Sequence, residues 1–427
     1  PLDHRVWKGY MGEWPTRETA YLEWPTSWEA GLAVLQGRNS GFSLQVRDSL
    51  NRFKALKLGY GDNPQVVSID HCAHGPVGDV QAVGGLPVRI GVHAGSWEVP
   101  AHAYRDWLWK ARDMEEAIRR QPSWIGDIRL AISWCPVHPG ILDALARILP
   151  PERVVLHVPQ WRAFGYDQDY PSFVPSEDGR AFLLRAREMG FHALPHCNAN
   201  QVASDHPMGK VALDFAWRDR FTKRLSGWAW VESVNPRPPQ SVSLLDTHKD
   251  WNVMLDIHQG FSGYRNELLF QVGRAVEDMG LDGIFLDTSN RFYNADNCVA
   301  ENLTSIEAGL LLLREVGTLR PGFAVGGEGR NELSARESAF VQLHVLKGMP
   351  EVTPLEAIVP VNERLLSGLA RGIGYGGLDG KGDLSTILLA MTERMGALPT
   401  LTVRDPGEIL APNPLVARVL ERALADA

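Results

Sequence analysis

Two carboxyl groups carry the reading of this sequence. Asp287 ends the run Gly283-Ile284-Phe285-Leu286-Asp287 and is followed by Thr288-Ser289-Asn290; Glu328 lies 41 positions further on, at the end of Phe323-Ala324-Val325-Gly326-Gly327-Glu328. Each apolar run is too short for a helix and suits a strand buried on both faces. A short buried strand ending in a carboxylate fits a parallel barrel, where reacting groups sit at the carboxyl ends of the strands. Two successive strands then bring one carboxyl each to the same rim. Hydrolysis of a glycosidic bond needs such a pair: an acid that protonates the leaving oxygen and a carboxylate across the sugar. At ~5–5.5 Å separation the second group is a nucleophile, and at ~6.5–9.5 Å it activates water. Asp287 is the expected nucleophile, because Thr288, Ser289 and Asn290 offer donors that would keep it ionised. Glu328 is the expected acid and base, with the neighbouring glycines leaving room for a sugar.

Other strand ends supply candidates for holding a saccharide. Trp134 ends a first strand; Trp161, Tyr166, Asp167 and Asp169 follow a second; His196 and Asn198 end a third; His344 ends a sixth. Asp256 and His258 would join them if their segment reaches the rim. Aromatic faces against the sugar ring, with carboxylates and amides on its hydroxyls, make an ordinary saccharide pocket.

The elements that must position these residues alternate between strand and helix from about residue 127 onward. Strands are expected at Ile128–Trp134, Val154–Pro159, Phe191–Cys197, Gly283–Asp287, Phe323–Glu328, Phe340–Val345, Ala357–Val361 and Leu398–Val403. Helices are expected at Pro139–Leu149, Arg180–Gly190, Gly263–Gly280, Thr304–Leu319 and Asp383–Met395, with Leu415–Ala425 closing the chain. Eight such units make an α/β fold, a (β/α)₈ TIM barrel. Residues 1–103 read as an N-terminal β-sandwich or part of one, with a hairpin from Ser43–Arg47 to Phe53–Leu58. An amphipathic helix, His102–Arg120, lies in a linker spanning 104–126, and the barrel fills 127–427 with an insertion around 199–262. Within that insertion Asn252–His258 could itself form a strand.

DGIFLD followed by GGEG resembles the retaining α-glycosidase barrels, in which the nucleophilic Asp follows the fourth strand and the acid/base Glu the fifth. The sequence Trp161-Arg-Ala-Phe-Gly-Tyr-Asp167, then Tyr170-Pro171 and a helix, is most similar to the endo-α-N-acetylgalactosaminidases and to sandwich-plus-barrel glycosidase-like bacterial proteins. The α-amylase superfamily is a more distant likeness, since its arginine two residues before the nucleophile is Phe285 here. The resemblance implies a retaining double displacement by Asp287 and Glu328 on an oligosaccharide or glycoside.

Composition narrows the alternatives. Apolar residues make up 44% and charged residues 22%, so a large core is available. Acidic residues outnumber basic ones, 51 to 43, with no basic tract, which argues against a nucleic-acid partner. No apolar run is long enough for a membrane span. The four cysteines are scattered without metal-site spacing, and no cofactor motif is recognised: Gly372–Gly377 lacks the strand–loop–helix setting of a dinucleotide site and reads as a barrel loop. Asp70-His71-Cys72-Ala73-His74 has no distant partner for a metal, and no metal is expected. Asn302-Leu303-Thr304 fits a glycosylation acceptor, a triplet that also arises by chance. The chain opens on Pro1, so a preceding leader stays open, as do localisation and oligomeric state. The competing readings are an inverting glycosidase or transglycosylase on the same rim, a non-catalytic saccharide-binding barrel, and a metal-dependent barrel hydrolase.

Overall fold

The computed structural model describes residues 20–59, 66–71, 82–219, 223, 225–231, 251–343, 355 and 358–425. Six strands open it: β1 (Ala20–Glu23), β2 (Leu32–Gln36), β3 (Ser40–Val46), β4 (Lys54–Gly59), β5 (Val66–His71) and β6 (Val88–Ala94). They form two antiparallel sheets, β1-β4-β5 and β2-β3-β6. Leu22 and Leu56 of the first meet Ala33, Leu44 and Val46 of the second, together with Trp24, Trp28 and Phe53 from the segments beside the strands. The expected hairpin is absent, because β3 and β4 lie in different sheets. Asp48 turns the chain instead: its buried carboxylate accepts from the amides of Leu50 and Arg52 at 3.1 and 2.9 Å and pairs with Lys54 at 3.2 Å. The expected single helix is also broken in two, Glu98–Ala111 and Met114–Arg120, by Asp113 at φ 48°.

The barrel follows. Its strands are β7 (Leu130–Ile132), β8 (Val154–Val158) and β9 (His192–Asn198), then, after a separate antiparallel sheet of β10 (Gln201–Ala203), β11 (Gly227–Val231) and β12 (Trp251–Asp256), β13 (Gly283–Asp287). A two-residue pair, β14 (Val299–Ala300) and β15 (Leu303–Thr304), precedes β16 (Ala324–Glu328), β17 (Phe340–Gln342), β18 (Arg371–Ile373) and β19 (Thr400–Leu401). All eight barrel strands run parallel in the order β18-β17-β16-β13-β9-β8-β7-β19. The Leu398 amide donates to the Gly372 carbonyl at 2.9 Å across the seam between first and last.

Seven of the eight strands overlap their expected positions; the seventh does not. Ile358–Pro360 is irregular and Val361 starts the helix Val361–Leu366. Pro360 has no N–H to give a ladder. The seventh strand is Arg371–Ile373, the start of the glycine-rich stretch expected to be a loop. The Asn-Leu-Thr triplet has a local role: Thr304 caps the helix Ser305–Gly317 in a reciprocal capping box with Glu307. The three described cysteines, Cys135, Cys197 and Cys298, are buried, and no disulfide joins them. No helix among the described residues is long and apolar enough to cross a membrane.

Side chains alternate in and out along each barrel strand. Val155, Leu194, Phe285, Ala324, Phe340 and Ile373 fill the interior, while Leu156, Ile284, Leu286 and Val325 face the surrounding helices. The next inward-facing layer toward the carboxyl ends is polar. Two residues beyond each of those interior positions stand His157, His196, Asp287, Gly326 (with Glu328 beyond it), Gln342 and Tyr375. The alternation that builds the core therefore also aims the chemistry.

Candidate active site

Asp287 is delivered by a strand that has little choice of position. The helix Ser262–Met279 stops at Gly280, whose φ of 62° suits a glycine C-cap, and Ile284, Phe285 and Leu286 are fully buried. Cross-strand register sets Asp287 against Asn198 and Phe285 against His196. On the other side, β13 pairs with β16, whose last residue is Glu328. The carboxyl groups of Asp287 and Glu328 share a hydrogen bond. Thr288 has φ 57°, a left-handed conformation that costs a β-branched residue about 1–3 kcal/mol. It turns its amide onto Glu328 Oε2 at 3.3 Å, while its hydroxyl donates to Asn200 Oδ1 at 2.6 Å. Ser289 Oγ accepts from the Glu328 amide at 3.1 Å. Trp134, Asp167 and Asp169, all on the loops of this rim, share the left-handed backbone.

Burial and repulsion from Glu328 and Asp167 push the Asp287 carboxyl well above its ordinary range, against the pull of Arg291. Two neighbouring carboxyls cannot both ionise cheaply, so Asp287 keeps its proton to higher pH than an isolated carboxyl would. Asn198 Nδ2 donates to Asp287 Oδ2 at 3.3 Å, and His196 Nε2 stands 4.0 Å from the same oxygen. Around them, Trp134 packs against Tyr166 and Tyr375 with ring centroids 5.5 Å apart in each pair, and Tyr166 lies 5.2 Å from His196. Burial raises the Tyr166 phenol, and Asp287 adds to the effect.

Of the residues expected at the site, Asp287, Glu328, Trp134, Tyr166, Asp167, His196 and Asn198 come together. Trp161 does not: it is fully buried in the core beneath, with its indole N–H donating to the His196 carbonyl at 2.8 Å. A fully buried indole has no face left for a sugar. For Asp169 the structure gives the left-handed backbone and a carbonyl that accepts from the Ser172 amide at 2.8 Å. Asp256 is buried on β12, held by Ser226 Oγ at 2.6 Å and Gln201 Nε2 at 3.1 Å, and its charge is felt by Arg291 and Tyr293. His258 stacks on Trp217 at 4.4 Å and accepts from the Gly260 amide at 2.8 Å, a structural post; burial lowers its pKa to about 4. His344 lies outside the described residues, as do Cys72, Ala73 and His74. The glycines beside Glu328 make no room for a sugar. A Cβ on Gly327 would lie 2.4 Å from Ser289 Oγ, and one on Gly329 2.3 Å from Asn290 Nδ2, so that space belongs to the loop after β13.

Five residues were missed. Gln342 Nε2 lies 3.0 Å from both Ser133 Oγ and His157 Nδ1, and His157 Nε2 lies 3.1 Å from His196 Nδ1. Inward alternation along β8 and β17 marks both His157 and Gln342. Tyr375 follows the same alternation two residues past Ile373, once β18 is placed, whereas Arg291 and Tyr293 sit on a loop where no period points to them. Asp167, His196 and Asp287 also bring potential ligand atoms within 4.8 Å of one another, the one such trio among the described residues. A cavity of about 570 Å³ lined by Ser123, Arg371 and Leu398 opens at the other end of the barrel, away from the carboxyl pair.

Fold and rim define a (β/α)₈ barrel with antiparallel sheets at its N-terminus and two contacting carboxyls at adjacent strand ends. Solved structures share this architecture. An α-N-acetylgalactosaminidase from Bifidobacterium bifidum superposes with a TM-score of 0.67 at 10% identity, covering 99% of this chain and 73% of that one. An α-galactosidase from Thermus thermophilus, solved with stachyose, gives 0.56 at 13%, covering 99% and 90%. The GH36 α-galactosidase AgaA from Geobacillus stearothermophilus gives 0.54 at 8%, covering 98% and 59%. At such identities the likeness is one of fold. No curated protein matches the sequence. Residues 86–304, just over half of the chain, match the family described as a domain of unknown function, DUF6259, and the chain belongs to that family.

Proposed function

We propose that the protein is a glycoside hydrolase that cleaves an α-glycosidic bond with retention, Asp287 acting as nucleophile and Glu328 as acid and base. One observation carries this: the tips of two adjacent barrel strands present carboxyls in hydrogen-bond contact, in a buried rim lined by Trp134, Tyr166 and Tyr375. Carboxyls on neighbouring strand tips suit the shorter separation of a retaining pair rather than the wider one that holds a water. Asp287 attacks the anomeric carbon as Glu328 protonates the departing oxygen; Glu328 then takes a proton from water as water displaces Asp287. Arg291 and the Asn198 amide favour the ionised form of Asp287 once a sugar separates the two carboxyls.

The structural neighbours named for α-galactosides and α-N-acetylgalactosaminides make those sugars the first substrates to try. Incubation with the p-nitrophenyl α-glycosides of galactose and N-acetylgalactosamine, with the first-formed anomer read by NMR, tests the reading. An α-anomer as first product supports it, and so does loss of nearly all turnover in Asp287→Asn. A β-anomer, or full turnover in that variant, refutes it. Saccharide binding without any product would favour a non-catalytic barrel.

A further inference from the structure

We propose that His196 and Asn198 act as a pair of fixed N–H donors that hold Asp287 by its Oδ2, leaving its other oxygen to attack. This rests on the reading of Asp287 as nucleophile and adds to it which oxygen reacts and what holds the other.

Two main-chain amides fix both side chains, and a main-chain amide can only donate. The Asn200 N–H donates to Asn198 Oδ1 at 3.1 Å, and the Thr288 hydroxyl reaches the same oxygen at 3.2 Å. The Asn198 carbonyl oxygen is thereby assigned, and the NH₂ must be the end that faces Asp287 Oδ2 at 3.3 Å. The Trp134 N–H donates to His157 Nδ1 at 3.4 Å, so that nitrogen carries a lone pair. Neutral imidazole has one proton, which must then sit on His157 Nε2 and point at His196 Nδ1, 3.1 Å away. His196 Nδ1 accepts, so its own proton sits on Nε2. That nitrogen is buried, has no other hydrogen-bond partner and faces Asp287 Oδ2 at 4.0 Å. A contraction of about 1 Å makes this a hydrogen bond, an adjustment ordinary when an empty site takes up substrate. Phe285 holds both rings, its centroid 4.4 Å from His157 and 5.6 Å from His196. Burial keeps both histidines neutral, with His157 lowered to about 3.

The same proton count decides a competing use of these residues. For His196 Nε2 to bind a cation, its proton would have to move to Nδ1, facing His157 Nε2. His157 would then accept at both nitrogens and carry no proton at all. The trio with Asp167 is therefore a donor site through His196, not a ligand set.

Asp287 is also faced by Glu328 on β16, by Tyr166 and Asp167 on the loop after β8, by Arg291 on the loop after β13 and by Tyr375 after β18. Against that background the test has two arms. In the full chain labelled with ¹⁵N, the side-chain nitrogens of His157 and His196, assigned with single variants, are expected as neutral Nε2–H tautomers throughout pH 5.5–8. A proton on His196 Nδ1, or an imidazolium, overturns the proposal. In the kinetic arm, Asn198→Ala and His196→Phe each remove one donor to the ionised carboxylate. The acidic limb of kcat/KM is expected to move up by about one pH unit, roughly tenfold in rate on that limb, with KM changed less. Activity lost equally at every pH in both variants, with the limb unmoved, overturns it, as does turnover that needs a divalent cation only when His196 is present. If the natural chain cleaves no glycoside, the proposed function fails, and the tautomer spectrum still decides the donor assignment.

Discussion

Replacing Glu328 by Gln separates what the carboxyl pair does for chemistry from what it costs the fold. Gln is the same size and can still accept the Thr288 amide that Glu328 Oε2 receives at 3.3 Å, so the rim keeps its shape. General acid–base catalysis contributes about 10²–10⁴-fold. That factor, about 3–5 kcal/mol of barrier, is the expected loss in kcat/KM on a glycoside with an ordinary sugar leaving group. A nitrophenyl leaving group needs little protonation, so its glycosylation step should suffer far less. Stability should move the other way. Burial first, then the charge of Glu328, raises the Asp287 carboxyl in the folded chain above its unfolded value near ~3.9. A carboxyl raised by folding binds its proton more tightly in the native state, so stability falls as pH rises through the unfolded pKa toward the folded one. The penalty persists at neutral pH. Two full charges ~4 Å apart at an effective dielectric of ~20 repel by ~4 kcal/mol, and the retained proton avoids most of that. Relief of about 1–2 kcal/mol is expected in Glu328→Gln, seen as a higher urea midpoint at pH 7 that vanishes near pH 3. Unchanged kcat/KM on the sugar-leaving substrate, or a lower midpoint at pH 7, would refute the reasoning.

Three further outcomes follow from the same contacts. Glu332 receives Trp24 Nε1 and Tyr104 OH, each at 2.7 Å, and the Gly31 amide at 3.3 Å, tying the loop beyond Glu328 to the N-terminal sheets. Glu332→Ala leaves the buried Trp24 indole N–H unpaired and the Tyr104 hydroxyl with only the Val46 carbonyl at 3.4 Å, and should cost about 1–3 kcal/mol in urea unfolding; Glu332→Gln should cost less. Trp161→Ala should remove about 3–5 kcal/mol of stability, whereas Trp134→Ala should raise KM for a glycoside with a smaller stability loss; the reverse pattern would invert their assigned roles. His157, lowered to about 3 when folded, binds its proton far more readily when unfolded. Its contribution to stability is full above about pH 6.5 and drains as pH falls toward about 3, so urea midpoints at pH 7, 5 and 4 should drop more steeply in the natural chain than in His157→Gln.

The barrel was legible wherever a strand announced itself by an apolar run, as Gly283–Asp287 and Val154–Val158 do. It was not legible at Arg371-Gly372-Ile373, three residues in which the glycine packs under Leu343 and tertiary pairing outweighs local preference. The lost hairpin has the same origin: turn-forming residues at Asp48–Asn51 mark a change of direction but not whether the chain stays in its sheet. At the site, the two carboxyls could be found because strand ends carry them. His157 and Gln342 follow the same alternation and were within reach of it. Trp161 looked like a sugar platform because a sequence cannot tell a tryptophan above a rim from one beneath it. Tyr375 continues the alternation of Arg371–Ile373 and was out of reach because that strand was; Arg291 and Tyr293 reach the centre from a loop, whose course depends on the packing of the whole chain. The glycines beside Glu328 were read as space, yet Ser289 and Asn290 occupy it; a missing side chain in sequence says nothing about which neighbour fills the gap.

The most direct test of the central claim is to trap the covalent intermediate. Incubation with 5-fluoro-α-galactosyl fluoride or its N-acetylgalactosamine counterpart, followed by proteolysis and mass spectrometry, is expected to place one sugar on the peptide containing Asp287, and none in Asp287→Asn. A sugar attached to another residue, or unlabelled protein from an enzyme that turns over the parent glycoside, would contradict the account.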